Sequence, residues 1–543
     1  MKRKAVAAVL TAVMVASMFT GCGSDNGSSS AKSTSAASAA NDTVDEDGKV
    51  NGIMYQEGLP LVDEGAYTFS IFCDDSSESG EFIMLDEFKK QTNVDVDLKI
   101  YPYETATERL NLDLNSGDYA DVIGGWTLSD NAILTYGVNQ GVFIPLEDYF
   151  EKYCPNISAI LDLPGVREKM TAPDGHIYTI PYVCADSTVG YSPYINTKWL
   201  ENVGMSMPTT TDEFEAVLKA FKEQDANGNG DASDEIPFST DPNNKHIEAM
   251  AGYFGLPMNK LGIAIQNEKV VYGGVSDTYR EFLSWFHKLY AEGLVDVELY
   301  TQDSSTWEGK GNQDLYGVSI AYGSGEFTGI PAAEERGDFD SMPVLNTDKD
   351  GIWLRDTEGF SVYRTQAVIT NKAEHPEIIC RWFDNAFALE NGIGCNRGPV
   401  GVIVNKEDDG YHAIDTTTLS EEDQEKYSWG NLWPQSLPKY LPVDFEFVEE
   451  HPMYDEKKAT EEAYEANLTK EIIPSYWIDL DKIDTFSDTN TAIKDFFEQQ
   501  QAQFVCGELD IDNDADWQAY VDGMYSLGLE DWVATQGIEE IAK

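Results

Sequence analysis

The stretch VDVDLKI, residues 94–100, alternates apolar and polar side chains. It follows the apolar run YTFSIFC, residues 67–73, and precedes DVIGG, residues 121–125. Alternation with a period of two predicts a half-buried strand, whereas short apolar runs predict strands that are buried on both faces. The three stretches therefore predict three β-strands that lie close together in the chain.

Helical periodicity separates these strands. Phe82, Leu85 and Phe88 recur at helical spacing after the first strand, and Leu110 and Leu114 follow the second. The order β-α-β-α-β is typical of a mainly parallel sheet covered by helices, in which ligands bind beyond the carboxyl ends of the strands. The sequence therefore predicts an α/β fold with a binding site at that edge.

Further helices are predicted along the chain. Thr210 and Glu213 form a capping box before an apolar stripe, a second stripe ends at Gly293, and a third follows Pro376. The aromatic side chains of these stripes recur at helical spacing, which favours core positions over ligand contacts.

The amino terminus is typical of an exported protein. Basic residues 2–4 precede an apolar run, residues 5–19, that is too short to span a bilayer. The run ends at FTGC, residues 19–22, which resembles the lipobox of bacterial lipoproteins. This resemblance implies a signal peptide over residues 1–21 and lipidation of Cys22. The alternative is an ordinary signal peptide that happens to contain a cysteine.

A tether is predicted after Cys22. Residues 23–41 contain seven serines and hardly any large apolar side chains, so this segment has too little apolar surface to fold. We expect disorder over residues 22–60 and a folded body that begins at residue 61. Because no second apolar run of spanning length occurs in the sequence, we expect attachment to the membrane through the lipid alone.

Composition narrows the classes of ligand. A formal charge of −59 argues against nucleic acid or an anionic membrane surface as a partner, and neutral or cationic solutes fit better. Much of this charge is explained by solubility alone. Six cysteines follow Cys22 without a CxxC pair, so no zinc site is predicted; disulfides and free thiols both remain open.

Sequence motifs for catalysis do not occur. The two Gly-Lys pairs are followed by Val50 and Gly311, which rules out a Walker A loop, and neither HExxH nor GxSxG is found. We therefore expect no enzymatic activity. Paired carboxylates of a glycoside hydrolase stay open, because among 96 acidic residues some pair always looks suggestive.

One local pattern indicates a cation site. DANGNGD, residues 225–231, carries oxygen-bearing side chains at alternate positions and glycines that allow tight winding, as a calcium loop requires. Position twelve is Ile236 instead of glutamate, so the loop is not a regular EF-hand. The alternative is an Asx and glycine turn that ends a helix. The predicted structural Ca²⁺ ligands are Asp225, Asn227, Asn229, Asp231 through its carbonyl, and Asp234 or Glu235.

Several stretches together resemble the family 1 extracellular solute-binding proteins of ABC transporters, in particular LipO-type lipoproteins, which are similar to alginate-oligosaccharide-binding proteins. These stretches occur over most of the chain in the same order as in that family. The stretches are SGDYAD 116–121, TAPDG 171–175, WL 199–200, MPTT 207–210, residues 225–237, LYAEGL 289–294, NRGP 396–399 and CGELD 506–510.

The resemblance implies a two-lobed fold of the type 2 periplasmic-binding-protein class, with a hinge and a ligand cleft between the lobes. It also implies calcium in the loop at residues 225–235. We place chain crossings near residues 181–191 and 360–365, and a further return after Gly401. The expected N-terminal lobe spans residues 61–181 and about 366–430, and the C-terminal lobe spans residues 182–365 and about 431–543.

The implied function is an extracellular, lipid-anchored receptor that passes an oligosaccharide to ABC permease subunits and acts as a monomer. Sugar sites combine stacking aromatic rings with paired polar groups. The candidate platforms are Trp126, Tyr182, Trp307, Trp429 and Trp433, and the candidate polar contacts are Asp75, Asp130 and Arg397. For each residue, a packed ring or a solvated charge is the alternative. A cell-surface glycan-degrading enzyme and an adhesin are the competing functions.

Overall fold

The computed structural model describes residues 42–75, 80–241, 246–329, 338–414, 416–448 and 452–542. The predicted signal peptide, the lipidation site Cys22 and the first part of the tether lie outside the described residues. The strands, in chain order, are β1 Lys49–Val50, β2 Met54–Tyr55, β3 Tyr67–Asp74, β4 Val94–Tyr101, β5 Val122–Gly124, β6 Thr179–Ala185, β7 Ser192–Asn196, β8 Ile236–Thr240, β9 Ile263–Gln266, β10 Lys269–Tyr272, β11 Tyr316–Ala321, β12 Phe339–Ser341, β13 Trp353–Arg355, β14 Phe360–Ile369, β15 Val404–Glu407, β16 Gly410–Ala413, β17 Leu468–Ile472 and β18 Glu540–Ile541.

The α-helices of the described residues cover both lobes. Their bounds are Ile83–Thr92, Tyr103–Ser116, Asp130–Ala132, Glu147–Tyr153, Pro155–Leu161, Val166–Met170, Thr197–Val203, Thr211–Glu223, Asp277–Ala291, Ser304–Asn312, Gly325–Thr328, Pro376–Ala386, Leu389–Arg397, Glu421–Lys426, Pro452–Tyr464, Ile483–Cys506, Asp514–Ser526 and Leu529–Thr535. A π-helix, Ile133–Asn139, and a 3-10 helix, Ile247–Phe254, add to them. None of the described helices is both long enough and apolar enough to cross a membrane.

The N-terminal lobe is built on a five-stranded sheet with the order β4-β3-β5-β14-β6. Strand β3 runs parallel to β4 and β5, and the predicted helices connect them, so the β-α-β-α-β prediction is confirmed. Strand β14 is antiparallel to β5 and β6, which places the carboxyl ends of β3, β4, β5 and β6 at one edge.

The folded body begins earlier than predicted. Strands β1 and β2 pair, and the side chains of Val50 and Met54 are buried in the core of the N-terminal lobe. Arg381 of the N-terminal lobe donates a hydrogen bond to the carbonyl of Gly58 at 2.9 Å, which connects this segment to that lobe. The tether prediction is therefore wrong for residues 42–60, because their few apolar side chains pack against the core of the N-terminal lobe.

The C-terminal lobe contains a four-stranded sheet with the order β12-β7-β11-β8. The predicted capping helix lies against it: Thr210 accepts from the backbone N–H of Glu213 at 3.2 Å, and the Glu213 carboxylate accepts from that of Thr209 at 2.8 Å. Helix Asp277–Ala291 buries Phe282 and Phe286 in the same core, as its apolar stripe predicts.

The chain passes between the lobes at residues 186–191, after β6, and at residues 356–359, after β13. Because β6 and β14 both lie in the N-terminal sheet, the predicted C-terminal lobe wrongly included residues 182–185 and 360–365. The last return differs from the prediction. Trp433 and Leu437 belong to the core of the N-terminal lobe, and Tyr464 belongs to that of the C-terminal lobe. The chain therefore changes lobes after residue 437, later than the predicted boundary at residue 431, because Trp433 packs on Phe88 and Trp382 of the N-terminal lobe.

The 24-residue helix Ile483–Cys506 contacts both lobes, and we call it the bridging helix. Its first residue, Ile483, packs with Leu134 of the N-terminal lobe, whereas Phe497 and Phe504 lie in the core of the C-terminal lobe. The last part of the chain therefore does not belong to the C-terminal lobe alone. The six cysteines after Cys22 are free thiols.

Candidate functional site

An aromatic cluster lies at the carboxyl edge of the N-terminal sheet. Trp126 follows the end of β5, Tyr182 lies on β6 and Tyr363 lies on β14. The ring centroids of Trp126 and Tyr363 are 5.3 Å apart, and those of Tyr182 and Tyr363 are 5.4 Å apart. Trp126 is 46% exposed, so much of its indole surface remains available for a ligand.

Asp74 holds Trp126 in place. Its carboxylate accepts hydrogen bonds from the backbone N–H groups of Trp126 at 3.0 Å and Thr127 at 2.6 Å. Gly125, which precedes Trp126, has a φ of +137°, and a Cβ there would meet the Asp74 carboxylate at 2.3 Å. Only glycine therefore lets the loop close over Asp74, and this closure fixes the direction of the Trp126 side chain.

The cluster continues across the hinge through Asp186. The hydroxyl of Tyr322, which follows β11 of the C-terminal lobe, donates to Asp186 at 3.0 Å, and the hydroxyl of Ser361 donates to its other oxygen. The Tyr191 ring lies 6.2 Å from that of Tyr322, edge to face, and stacks on His246 at 3.9 Å. Aromatic rings from both lobes thus meet at the crossing segments.

Lys457 joins the crossing segment at residues 186–191 to the loop of Tyr322. Its ammonium group donates to the carbonyls of Val189 at 2.8 Å, Gly190 at 2.7 Å and Tyr322 at 2.6 Å, and it lies 4.0 Å from the centroid of the Tyr322 ring. Burial lowers the pKa of Lys457 to about 8, which Glu456 and other nearby carboxylates partly oppose. A buried lysine with three carbonyl acceptors fixes the backbone of the crossing segment.

Trp429 forms an exposed rim near the same edge. It is 60% exposed, and the Lys439 ammonium lies 5.5 Å from its ring centroid. Gln435 donates to the Trp429 carbonyl at 2.9 Å and accepts from Lys439 at 2.6 Å. The predicted contact Asp75 is buried and accepts from the Gln435 backbone at 2.7 Å. Asp75 therefore holds the rim segment against the end of β3.

Two predicted platforms are core residues. Trp307 is 2% exposed, donates to the Ser319 hydroxyl at 3.1 Å and packs on Phe327. Trp433 is fully buried and stacks on Trp382 with ring centroids 5.8 Å apart. Both predictions are wrong, because each indole faces inward from its segment and is covered by the core of its own lobe.

The remaining polar candidates have partners of their own. Asp130 binds the guanidinium of Arg364 through two hydrogen bonds of 2.8 and 2.6 Å, and Arg364 also donates to the carbonyls of Ser475 and Tyr476. Arg397 ends its helix and lies over the Phe447 ring at 5.9 Å. Of the predicted contacts, the structure brings Trp126 and Tyr182 together, and it joins Asp75 to Trp429 through Gln435.

The sequence analysis missed Tyr363, Tyr322, Tyr191 and Asp186. Tyr363 lies within a strand, and the others follow strand ends or form the crossing itself. Tyr363, Tyr191 and Asp186 lie in the predicted crossing segments, which could have pointed to them, whereas Tyr322 follows β11 and had no such signal. No spacing rule singles them out, because the contacts between them join parts of the chain that are far apart in sequence.

The loop at residues 225–235 is wound as a cation loop would be. Asn227 and Asn229 donate to the Asp234 carboxylate at 3.3 and 2.7 Å, Asp225 accepts from the Gly230 backbone at 3.0 Å, and Asp231 accepts from Ser233. The side chains of Asn227 and Asn229 thus meet at Asp234, whereas the Asp231 side chain turns towards Ser233.

Two carboxylate oxygens of this loop are buried without a hydrogen-bond donor among the described residues, namely Asp225 Oδ1 and Glu235 Oε2. Burial, and secondarily the charge of Asp234, raise the pKa of Glu235. Uncompensated buried carboxylate oxygens are costly unless a cation binds them. The residues therefore fit a hard cation such as Ca²⁺.

A second acidic group lies on the hairpin formed by β15 and β16. Possible ligand atoms of Glu407, Asp409 and His412 lie within 4.8 Å of one another. The two carboxylates are exposed, and His412 lies 3.0 Å from Asp409 and lowers the pKa of that carboxyl. The hydrogen bond between His412 and Asp409 explains why these two side chains lie together.

The chain is similar to proteins of known function. The family model of bacterial extracellular solute-binding proteins matches residues 76–392. The fructooligosaccharide ABC transporter substrate-binding protein FusA of Streptococcus pneumoniae is 32% identical over 379 residues, which are 67% of this chain and 68% of FusA. Lipoprotein LipO of Bacillus subtilis is 28% identical over 280 residues, covering 50% of this chain and 52% of LipO.

Solved structures agree with the sequence comparisons. FusA in complex with kestose superposes with a TM-score of 0.76 at 26% identity, covering 86% of this chain and 98% of FusA. An EF-hand mutant of FusA in complex with fructo-nystose gives a TM-score of 0.75 at 27% identity with the same coverage. Because the family model spans more than half of the sequence, this chain belongs to the bacterial extracellular solute-binding proteins.

Proposed function

We propose that this chain binds an oligosaccharide between its two lobes and delivers it to the permease of an ABC importer. The aromatic cluster of Trp126, Tyr182 and Tyr363 is the observation that supports this most directly. It presents an exposed indole at the edge where α/β folds bind ligands, in a chain that is 32% identical to a fructooligosaccharide-binding protein.

The cluster suits the two surfaces of a sugar ring. The apolar face of the ring stacks on the exposed indole of Trp126, whose backbone N–H is bound by the Asp74 carboxylate. Tyr322 and Asp186 place hydroxyl and carboxylate groups at the hinge, within the same array of rings. Trp429 supplies a further platform at the rim. A chain of sugar units would thereby contact stacking and polar groups in turn.

The receptor releases the bound sugar without changing it chemically. FusA is named a substrate-binding protein and LipO is named a lipoprotein. At the hinge, the Tyr322 hydroxyl and the Asp186 carboxylate bind each other and do not flank a reacting bond. We also propose export, lipidation at Cys22 and a monomeric receptor on the outer face of the cell membrane. The similarity to LipO supports the lipid anchor.

The test is a calorimetric titration of the signal-free protein with fructooligosaccharides, uncharged glucans and uronate oligosaccharides, followed by analysis of the sugars by chromatography. Saturable binding of one molecule per chain with every sugar recovered intact is the expected result. New, shorter sugars would show an enzyme instead. An absence of heat with all three classes would exclude an oligosaccharide receptor.

We further propose that Asp225, Asn227, Asn229, Asp234 and Glu235 hold a structural Ca²⁺. The ion would neutralise the buried oxygens of Asp225 and Glu235 and fix the turn between a helix and β8. The relative FusA, of which an EF-hand mutant has been solved, supports this assignment.

Calcium is expected to raise the melting temperature of the protein, and EDTA is expected to reverse the rise. At 100 times its Kd, an ion that binds only the folded state contributes about 2.7 kcal/mol to the free energy of unfolding. Asp225→Asn keeps an acceptor for Gly230 but removes the charge, so this variant is expected to lose the response.

Asp231→Ala is the matched control, because its predicted ligand is the backbone carbonyl and its carboxylate binds Ser233. This variant is expected to keep the response to calcium. Equal melting curves of the wild-type protein with calcium and with EDTA would instead favour a simple Asx and glycine turn.

A further inference from the structure

The N-terminal lobe is assembled from two separate stretches of the chain. The first stretch, residues 42–185, carries β1 to β6. The second stretch, residues 360–437, brings β14, helix Pro376–Ala386 and the segment of Trp433 into the same lobe. Between them the chain crosses into the C-terminal lobe and returns. The lobe therefore depends on contacts that hold its two stretches together.

Helix Pro376–Ala386 of the second stretch packs against the first stretch. The Asp384 carboxylate accepts hydrogen bonds from the backbone N–H of Ile157 at 2.8 Å and from the side-chain amide of Asn156 at 3.0 Å. Both donors lie in the first turn of helix Pro155–Leu161. Asp384 thus holds the amino-terminal end of that helix against the second stretch.

Two cysteine thiols meet beside this contact. Cys380 precedes Asp384 by one helical turn, so the two side chains share a face of their helix. Cys154 lies directly before Pro155, where helix Glu147–Tyr153 ends. The Cys154 thiol is in hydrogen-bond contact with the Cys380 thiol, and both are buried in the core of the N-terminal lobe. Each stretch therefore contributes one thiol to the contact.

The buried environment makes the Cys154 thiol unreactive. Burial raises its pKa well above the usual range, and the neighbouring Cys380 raises it further. Because the thiolate is the form that reacts, the pair does not react while the core is closed. A bond between the two sulfurs therefore forms before the lobe has finished folding, when a disulfide donor still reaches both residues.

We propose that Cys154 and Cys380 are a redox modification site and form a disulfide bond that joins the two stretches of the N-terminal lobe. This inference rests on the proposed export, because disulfides form and persist in the oxidising environment outside the cytoplasm. It does not use the sugar site.

The bond forms by thiol–disulfide exchange with the disulfide of an exported oxidoreductase. The thiolate of one cysteine attacks a donor sulfur, which breaks the donor S–S bond and gives a mixed disulfide and one donor thiolate. The thiolate of the other cysteine attacks the protein sulfur of the mixed disulfide and releases the second donor thiolate. The two cysteines thus lose two electrons and two protons, and the donor becomes a dithiol by taking up both.

The bond closes a long loop. Residues 154–380 contain the crossing into the C-terminal lobe and the return from it. Closing such a loop removes conformational entropy from the unfolded chain, and the effect grows with the length of the loop. Reduction of the bond is therefore expected to lower the melting temperature by about 5 °C or more.

The test refolds the signal-free protein, which lacks residues 1–22 and retains six cysteines, from the reduced and denatured state in a buffer of reduced and oxidised glutathione. The product is alkylated with iodoacetamide in denaturant without a reductant and analysed by mass spectrometry. Alkylation of four of the six cysteines is the expected result. After proteolysis, the peptides of Cys154 and Cys380 are expected to be joined, with the loss of two hydrogens.

Cys154→Ala and Cys380→Ala separate the bond from the packing of the core. Each variant lacks the bond, so dithiothreitol is expected to leave its melting temperature unchanged. Cys395→Ala is the matched control, because Cys395 is equally buried in the same core, and it is expected to respond to dithiothreitol as the wild-type protein does. Each protein is compared with itself, which cancels the effect of the cavity that the alanine leaves.

Three results would overturn the proposal: all six cysteines are alkylated after refolding, the bond joins a different pair, or dithiothreitol lowers the melting temperature of Cys380→Ala as much as that of the wild-type protein. These outcomes are independent of the oligosaccharide titration. A protein that binds oligosaccharides with six free thiols would keep its proposed function and lack the bond.

Discussion

Trp126→Ala is expected to weaken oligosaccharide binding by about 30-fold, which corresponds to about 2 kcal/mol of binding free energy. The indole is 46% exposed at the carboxyl edge of the sheet, and its contacts with Tyr182 and Tyr363 continue the platform. Removing it takes away a rigid stacking surface that costs little conformational entropy to present. Calorimetric titration with the sugar identified for the wild-type protein measures the effect.

Trp126→Phe is the matched control, because it keeps an aromatic face on the same loop and is expected to recover most of the affinity. Both variants should fold normally, since the Asp74 carboxylate binds backbone groups and not the indole. An alanine variant with wild-type affinity would place the sugar away from this cluster. A lowered melting temperature in the ligand-free alanine variant would indicate a structural role.

The sheet of the N-terminal lobe was predictable because its signal is local. Strand β4 alternates apolar and polar residues, and the flanking helices carry apolar stripes of the correct period. Trp126 was predictable for a related reason: a residue just after a parallel strand must lie at the carboxyl edge. These inferences need only the order of elements along the chain.

The other platforms depend on tertiary packing. The sequence around Trp307 and Trp433 does not show which way each indole faces, and only the three-dimensional fold places each of them in a core. Tyr363 is the opposite case. It lies in the segment predicted as a crossing, residues 360–365, and was not selected as a contact, yet it meets Trp126 because β14 runs beside both β5 and β6.

The predicted boundary between the lobes after Gly401 was wrong for a similar reason. The segment after Gly401 shows no apolar periodicity that assigns it to either lobe, yet Trp433 packs on Phe88 and Trp382 of the N-terminal lobe. The return to the C-terminal lobe is set by these contacts and by the three hydrogen bonds of Lys457. Neither kind of contact follows from a local pattern.

Trp433→Ala is expected to lower the free energy of unfolding of the N-terminal lobe by about 3–5 kcal/mol. The side chain is fully buried between Phe88 and Trp382, so its loss leaves a cavity that rigid neighbouring rings cannot fill. Its indole N–H also donates to the Leu437 carbonyl at 3.3 Å, which would be left without this donor. Urea unfolding followed by circular dichroism measures the change.

Trp429→Ala provides the comparison, since it removes the same side chain four positions away at a site that is 60% exposed. Its expected cost is about 1 kcal/mol or less, because the side chain is mostly exposed and the contact of its ring with the Lys439 ammonium is weak. The two variants should show opposite patterns: Trp433→Ala destabilises the lobe, and Trp429→Ala weakens sugar binding while the lobe stays folded. Equal unfolding curves for the two variants would contradict this prediction. They would mean that Trp433 does not stabilise the core of the N-terminal lobe, on which the segment that carries Trp429 rests.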